Sequence, residues 1–158
     1  MDIFGAHIDA GETFPFTTAM SREAGHAYWL GPGVTSFVAT NGGGRVLGMY
    51  RLVTNMVGRG HHVASASYMV APTAQGAGVG RSLGEHSLEE ARRQGFLAMQ
   101  FNYVVSTNTA AVRLWKKLGF AIVGTLPKAY RHKHLGYVDA YVMYQLLQDP
   151  DHWPTVDA

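Results

Sequence analysis

The chain has no cysteine among its 158 residues. Disulfides, thiolate nucleophiles, zinc–cysteine knuckles and iron–sulfur clusters are thereby excluded. Charge is scarce as well. Asp, Glu, Lys and Arg together make up 15% of the residues, against about 25% in an average globular protein. No apolar run approaches the roughly 18 residues that a membrane helix needs. The start, Met1-Asp2-Ile3-Phe4-Gly5, lacks the positive-then-apolar layout of a secretory signal. The expectation is a cytoplasmic protein with no membrane partner. There is no internal repeat and no low-complexity linker. The length fits one domain of about 100–200 residues, and residues 1–158 are read as one.

What charge there is falls unevenly. Residues 79–133 hold nine Lys or Arg against three Glu, a balance of +6, and the rest hold four Arg against eight Asp or Glu, −4, which together give the net +2. Nucleic acid, a small polyanion or a solvated helix face each account for such a basic half. Nucleic acid ranks last, because the basic residues lack interleaved aromatics.

Turn signals divide the chain into a mixed α/β pattern. Asn41-Gly42-Gly43-Gly44 reads as a hairpin turn between strands over 36–40 and 46–55. Residues 57–62 read as a loop and 63–70 as a strand, which Pro72 ends because proline cannot donate into a ladder. A helix is expected over 79–94, with Gly80, Gly84, Ser87 and Ala91 forming a small-residue stripe that permits close packing on a sheet. Residues 98–105 form an apolar run suited to a buried strand. Asn108 caps a second helix over 109–117, which Gly119 stops. Strands over 121–126 and 137–147 follow, a further helix is expected over 20–29, and residues 149–158 read as a tail.

The chemistry sits where a strand becomes a helix. Tyr68 to Arg81 carries glycines at 76, 78 and 80. Glycine accepts positive φ and lets another molecule approach the backbone. Such a turn offers free N–H groups at a helix N-terminus, an anion site by geometry and dipole. The dinucleotide fingerprint needs a third glycine where Arg81 or Leu83 stands, and the Walker pattern needs Gly-Lys-Ser/Thr where the chain has Gly80-Arg81-Ser82. Both patterns fail. A structural turn without a ligand is the alternative.

Gln75-x-x-Gly78-x-Gly80 resembles the acetyl-CoA pyrophosphate loop of the GCN5-related N-acetyltransferases, and Pro72 follows the strand as in that family. A second block, Asn108-x-x-Ala111-x-x-x-Trp115-x-x-x-Gly119-Phe120, resembles the family's Asn-x-x-Ala-x-x-x-Tyr-x-x-x-Gly-Phe. The two blocks cover a CoA-binding core over about 63–124. The resemblance implies a mixed, mostly antiparallel sheet with splayed central strands and flanking helices. It implies an enzyme moving an acetyl group from acetyl-CoA, without a metal, to the primary or secondary amine of a small molecule, an amino acid included. It also implies a homodimer.

Residue by residue, the resemblance implies that the pyrophosphate sits on the N–H groups of Gln75, Gly76, Ala77, Gly78, Val79 and Gly80, with Arg81 nearby. Pantetheine pairs with the backbone around Met69 and Val70 like an added strand. Asn108 bonds the pantetheine arm, caps its helix, or does both. Ala111 and Trp115 face the cofactor from the second block, and Trp115 packs against its thioester end or against the core. Arg113, Lys116 and Lys117 meet the 3′-phosphate or lie on solvated surface.

The chain also departs from the family pattern. Trp115 stands where the family often has a tyrosine acid, and indole cannot serve as an acid near neutral pH. No Asp or Glu lies within 63–70, where many members carry a glutamate base. His61 and His62 are substitute bases or an exposed loop pair. Ser65 shares a strand face with Ser67 and is read as orienting the acceptor amine. Asn102, on the expected buried strand, is either a structural link to a neighbouring strand or an acceptor contact. The Asn102–Asn108 arrangement, with Trp115 and Thr13-Phe14-Pro15, resembles a subgroup that acetylates small amino acids and proline analogues. Lys128 to His134 reads as a mobile basic loop from which Tyr130 reaches substrate. The alternative reading is a non-catalytic acyl-CoA-binding or regulatory domain.

Overall fold

The structure is a computed structural model and describes residues 21–155. Thr13-Phe14-Pro15 lies outside the described residues. The elements run α1 (Arg22–Leu30), β1 (Thr35–Thr40), β2 (Val46–Thr54), β3 (Val63–Val70), α2 (Val79–Arg93), β4 (Ala98–Val105), α3 (Thr109–Lys117), β5 (Ala121–His132) and β6 (Gly136–Leu146). The six strands form one sheet in the order β1-β2-β3-β4-β6-β5. Every neighbouring pair is antiparallel except β3–β4.

The punctuation residues explain why the middle elements form where they do. Pro72 opens a 3₁₀ turn directly after β3. Gly78 caps α2 in the left-handed region, at φ 81°, where a side chain would be strained. The Asn108 side chain accepts the Ala111 N–H at the start of α3.

The core lies between the sheet and the pair α2–α3. Tyr50 and Leu52 of β2, Ala64 of β3, Met99 and Phe101 of β4, and Leu83, Leu88 and Ala91 of α2 are buried in it. The small stripe on α2 provides the close approach. A Cβ at Gly84 would lie 2.6 Å from Leu118 Cδ1 and 3.1 Å from Trp115 Cζ3. Ser87 is fully buried and meets the Tyr68 hydroxyl at 2.6 Å. On the opposite sheet face, α1 lies over β2 and β3, with the Tyr28 hydroxyl 2.7 Å from Ser67 Oγ.

The last hairpin differs from expectation. Lys128 to His132 is strand, not mobile loop, and Tyr130 is buried at 5% exposure. The register shifts between Leu126 and Tyr130, around Pro127 and a Lys128 at φ 54°. Two bonds pin this bulge: the Lys128 N–H donates to Asp139 Oδ1 at 2.9 Å, and the Tyr103 hydroxyl donates to the Ala129 carbonyl. An edge strand with a bulge loses the regular alternation on which a strand reading depends. Part of the expected tail is also packed, since Trp153 lies against His62 with ring centroids 5.6 Å apart.

A matched pair of substitutions tests the close approach. Gly84→Val should lose about 1–3 kcal/mol through overpacking. Gly80→Ala, whose Cβ would meet Leu114 and Val70 at ordinary contact distances of 3.6 and 3.7 Å, should gain up to about 1 kcal/mol of helix propensity. Urea unfolding of both variants measures the difference. A Gly84→Val variant as stable as wild type would show that the stripe does not set the spacing.

Candidate functional site: a gap between two parallel strands

β3 and β4 pair at only two registers, Val63↔Ala98 and Ala64↔Met99, and then separate. Which groups line the opened gap follows from hydrogen-bond parity. The Asn55 N–H donates to the Val63 carbonyl and the Ala71 N–H to the Leu47 carbonyl. In an antiparallel pair, alternate residues bond the neighbour. The odd-numbered residues of β3 therefore turn their backbone groups toward β2, and the even-numbered residues turn theirs toward β4. Ala66 and Tyr68 lie beyond the end of the β3–β4 ladder, so their N–H and C=O groups face the gap. This corrects the expectation for Met69, whose carbonyl points at Gly48 on β2, while Val70 keeps the gap-facing orientation. Sequence patterning reports side-chain faces and carries no signal for backbone direction.

Trp115 sits across the gap on the helix side. Its ring centroid is 4.6 Å from that of Tyr68 on β3 and 4.9 Å from that of Phe101 on β4. It is 7% exposed, so it packs in the core as a wedge between the two strands. Tyr68 lies beside it with its hydroxyl on Ser87. Burial pushes its hydroxyl well above the ordinary tyrosine range, and the bond to Ser87 offsets this only in part.

At the C-terminal end of β3 lies the glycine turn. Gly76 and Gly78 have φ of 78° and 81°, and a Cβ at either would point into open space. The first intrahelical bond of α2 runs from Ser82 N–H to the Gly78 carbonyl. The N–H groups of Val79, Gly80 and Arg81 therefore have no partner within the helix. No acidic residue sits in that first turn and no side chain caps it. The glycines, the orphan donors and the dipole together give this cradle-shaped turn the geometry and polarity that suit an anion. Gln75 is exposed at the end of the 3₁₀ turn and Ala77 is exposed beside it. The Arg81 side chain turns away to Glu85, with Nε 2.7 Å from Oε1. That hydrogen bond holds its guanidinium above its ordinary pKa. Asn108 spends Oδ1 on the Ala111 N–H at 3.2 Å, which leaves its Nδ2 available to donate. Arg113, Lys116 and Lys117 are exposed on α3.

The open sheet face carries the other polar residues. Ser65 is half-buried there, opposite Val53. Asn102 is exposed, not buried: it shares the open face with Gln100, while Met99 and Phe101 take the core face of β4. Its Nδ2 donates to Asn55 Oδ1 at 2.6 Å, and its Oδ1 accepts from Gln100 at 2.7 Å. The amide trio Asn55, Gln100 and Asn102 was not legible from sequence, since Asn55 follows β2 in a loop. His61 and His62 lie at the closed end of the gap, before β3 begins. Seven residue steps at about 3.3 Å each separate that end from Val70. There the two histidines line a shallow pocket with Gln94 and Phe96, at the end of the gap away from the glycine turn. Among the described residues no group of three or more His, Cys, Asp or Glu is placed to hold a metal. No helix among them is long and apolar enough to cross a membrane.

A family model described as the acetyltransferase (GNAT) family matches residues 5–120. The protein N-acetyltransferase aca1 of Schizosaccharomyces pombe is 37% identical over 113 residues, which cover 71% of this chain and 51% of that protein. The structure of a GCN5-related N-acetyltransferase from Kribbella flavida superimposes with a TM-score of 0.87 at 44% identity, covering 91% of this chain and 88% of that one. A phosphinothricin acetyltransferase from Sinorhizobium meliloti, solved in complex with acetyl-CoA, shares the fold at a TM-score of 0.83 and 21% identity, over 97% of this chain and 84% of that one. The splayed sheet, the glycine cradle and the matched model agree, and the chain belongs to the GNAT acetyltransferase family. It spans about half the length of the fission-yeast relative.

The wedge role of Trp115 has a direct test. Trp115→Ala should cost about 3–5 kcal/mol, the usual range for a truncated buried aromatic. Trp115→Phe keeps a ring between Tyr68 and Phe101 and should stay folded and retain at least a tenth of wild-type acetyl-transfer turnover. A folded Trp115→Phe variant falling more than about a hundredfold in kcat, the scale of a lost general acid, would make the indole N–H a participant in the chemistry.

Proposed function

We propose that the protein is an acetyl-CoA-dependent N-acetyltransferase acting on the primary or secondary amine of a small molecule by direct attack. The observation that carries this reading is the gap between β3 and β4, with unladdered backbone groups at Ala66 and Tyr68 and an anion cradle at its mouth. The cradle fits a pyrophosphate, and the gap fits an extended amide-bearing arm that adds as a strand. Gln75, Gly76, Ala77, Gly78, Val79, Gly80 and Arg81 supply the cradle, Val70, Asn108 and Ala111 the arm contacts, and Trp115 the wall. Bound acetyl-CoA supplies an activated acetyl thioester. The sheet backbone then offers an N–H to the thioester oxygen that gains charge as the amine attacks. The nitrogen–carbon bond forms, the carbon–sulfur bond breaks, and the thiolate leaves. Ser65 and Asn102 orient the acceptor from the open face. The amine proton goes to water, directly or on the way to a histidine at the closed end of the gap, since β3 carries no Asp or Glu. By its resemblance to the family, the chain is read as a homodimer.

A second reading, a CoA-binding domain without catalysis, draws on Trp115 standing in the tyrosine position and on a gap with no carboxylate. Transfer of labelled acetyl from acetyl-CoA to a pooled amine library separates the two. Labelled product supports the enzyme, and tight CoA binding with no product supports the second reading. Gly78→Asp is the test of the cradle. Asp tolerates the left-handed region better than most residues, and its carboxylate would occupy the cradle. The variant should stay folded and lose CoA binding by calorimetry. Unchanged affinity would remove the assignment.

The two asparagines should behave oppositely. Asn108→Ala should weaken CoA by about 1 kcal/mol, the net worth of one hydrogen bond, and Asn102→Ala should raise the acceptor KM with CoA affinity unchanged. Equal losses of stability with no change in either ligand would make both residues structural.

A further inference from the structure

Arg51 is the unexplained charge on the open face. It stands in the middle of β2, opposite Ser67 of β3 and Ser36 of β1. Its guanidinium carbon lies 3.8 Å from the centroid of the Tyr28 ring. One Nη1 hydrogen donates to the Tyr28 backbone carbonyl at 2.7 Å. Its Nε is buried and has no hydrogen-bond partner. Among the described residues the ion pairs are Arg81–Glu85, Arg93–Glu90 and His152–Asp149, and no described carboxylate pairs with Arg51.

A half-buried guanidinium with neither counter-ion nor complete hydrogen bonding is costly, and proteins keep such a group where a ligand completes it. The geometry says which edge lacks partners. Stacking on Tyr28 and the bond from Nη1 fix the plane of the group. The Nε–H and the Nη2 hydrogens remain, and they form one side of the fork, two parallel donors matched to the two oxygens of a carboxylate. Arg51 is also close to the gap. Its register partner Ser67 lies between Ala66 and Tyr68, whose backbone groups line the gap, and Tyr28 bridges the two strands by bonding Ser67. Two strand spacings, about 10 Å, separate the Arg51 backbone from the gap, a span that an arginine side chain and a short carboxylate ligand together cover.

We propose that Arg51 anchors a carboxylate of the acceptor, so that the substrate class is amines carrying a carboxylate a few bonds from the nitrogen. This rests on the acetyltransferase reading above and assigns the acceptor side of the same site. The carboxylate takes the Nε and Nη2 donors, and the Tyr28 ring above the guanidinium shifts to admit it. Ser67, held by Tyr28, lines the path from the anchor to the gap. The side chain is a specificity group that touches the acceptor and takes no part in moving its proton.

The test uses matched pairs: each of histidine, tyrosine, phenylalanine and leucine against the amine left when its carboxylate is removed, with acetyl-CoA and release of free thiol as the readout. The wild-type protein should prefer the acid over the matched amine by at least tenfold in kcat/KM for one or more pairs. Arg51→Gln should collapse that preference ratio at least tenfold, through the KM of the acid. Arg51→Lys, which keeps the charge and loses the fork, should fall between. A wild-type preference for the bare amines, or a ratio that survives in folded Arg51→Gln and Arg51→Lys, overturns the anchor and leaves the acetyltransferase reading standing. If neither variant folds, the wild-type ratio decides alone. Failure of the wild-type protein to bind acetyl-CoA overturns the acetyltransferase reading and this inference with it.

Discussion

The structure depends on two parallel strands that pair over two residues and then separate. Parallel ladders between central strands are ordinarily continuous, because an unpaired backbone group away from water costs as much as a lost hydrogen bond. Here the break is built in. Trp115 fills the space between Tyr68 and Phe101 on the helix side, and the bulge after Phe101 turns β4 away on its other edge. The separation converts the middle of a sheet into a second, internal edge. Everything assigned to the cofactor side follows from it: donors along β3, an anion cradle at its C-terminal end, and an asparagine cap on α3 with an amide hydrogen to spare.

The middle of the chain was legible because its boundaries are marked by residues with strong backbone preferences. β3, β4 and α3 begin and end where Pro72, Gly95, Asn108 and Gly119 indicate, and α2 extends one residue less than expected. The left-handed turn was legible for the same reason: positive φ at 76 and 78 is a backbone conformation that glycine adopts readily.

Other features depend on information that one-dimensional patterning does not hold. Asn102 reads as buried from the apolar run around it, yet it lies on the open face beside Gln100 while Met99 and Phe101 take the core. Met69 and Ala66 look equivalent along β3 until the parity of the ladder assigns their backbones to opposite sides. The second half of β5 hides because Pro127, Lys128 and Ala129 are exposed and carry no strand pattern, which in sequence is the signature of a loop. Arg51 is silent for a different reason. An arginine in a strand is unremarkable until its neighbours prove to include no acid.

The bulge at Pro127 and Lys128 has a consequence for the sheet as a whole. β5 is an outer strand, and an outer strand presents its free backbone groups to any passing chain. Proline has no N–H to give, the neighbouring Lys128 N–H is already taken by Asp139, and the Ala129 carbonyl is taken by Tyr103. A foreign strand sliding along that rim would meet a stretch of three residues with no regular pattern to copy.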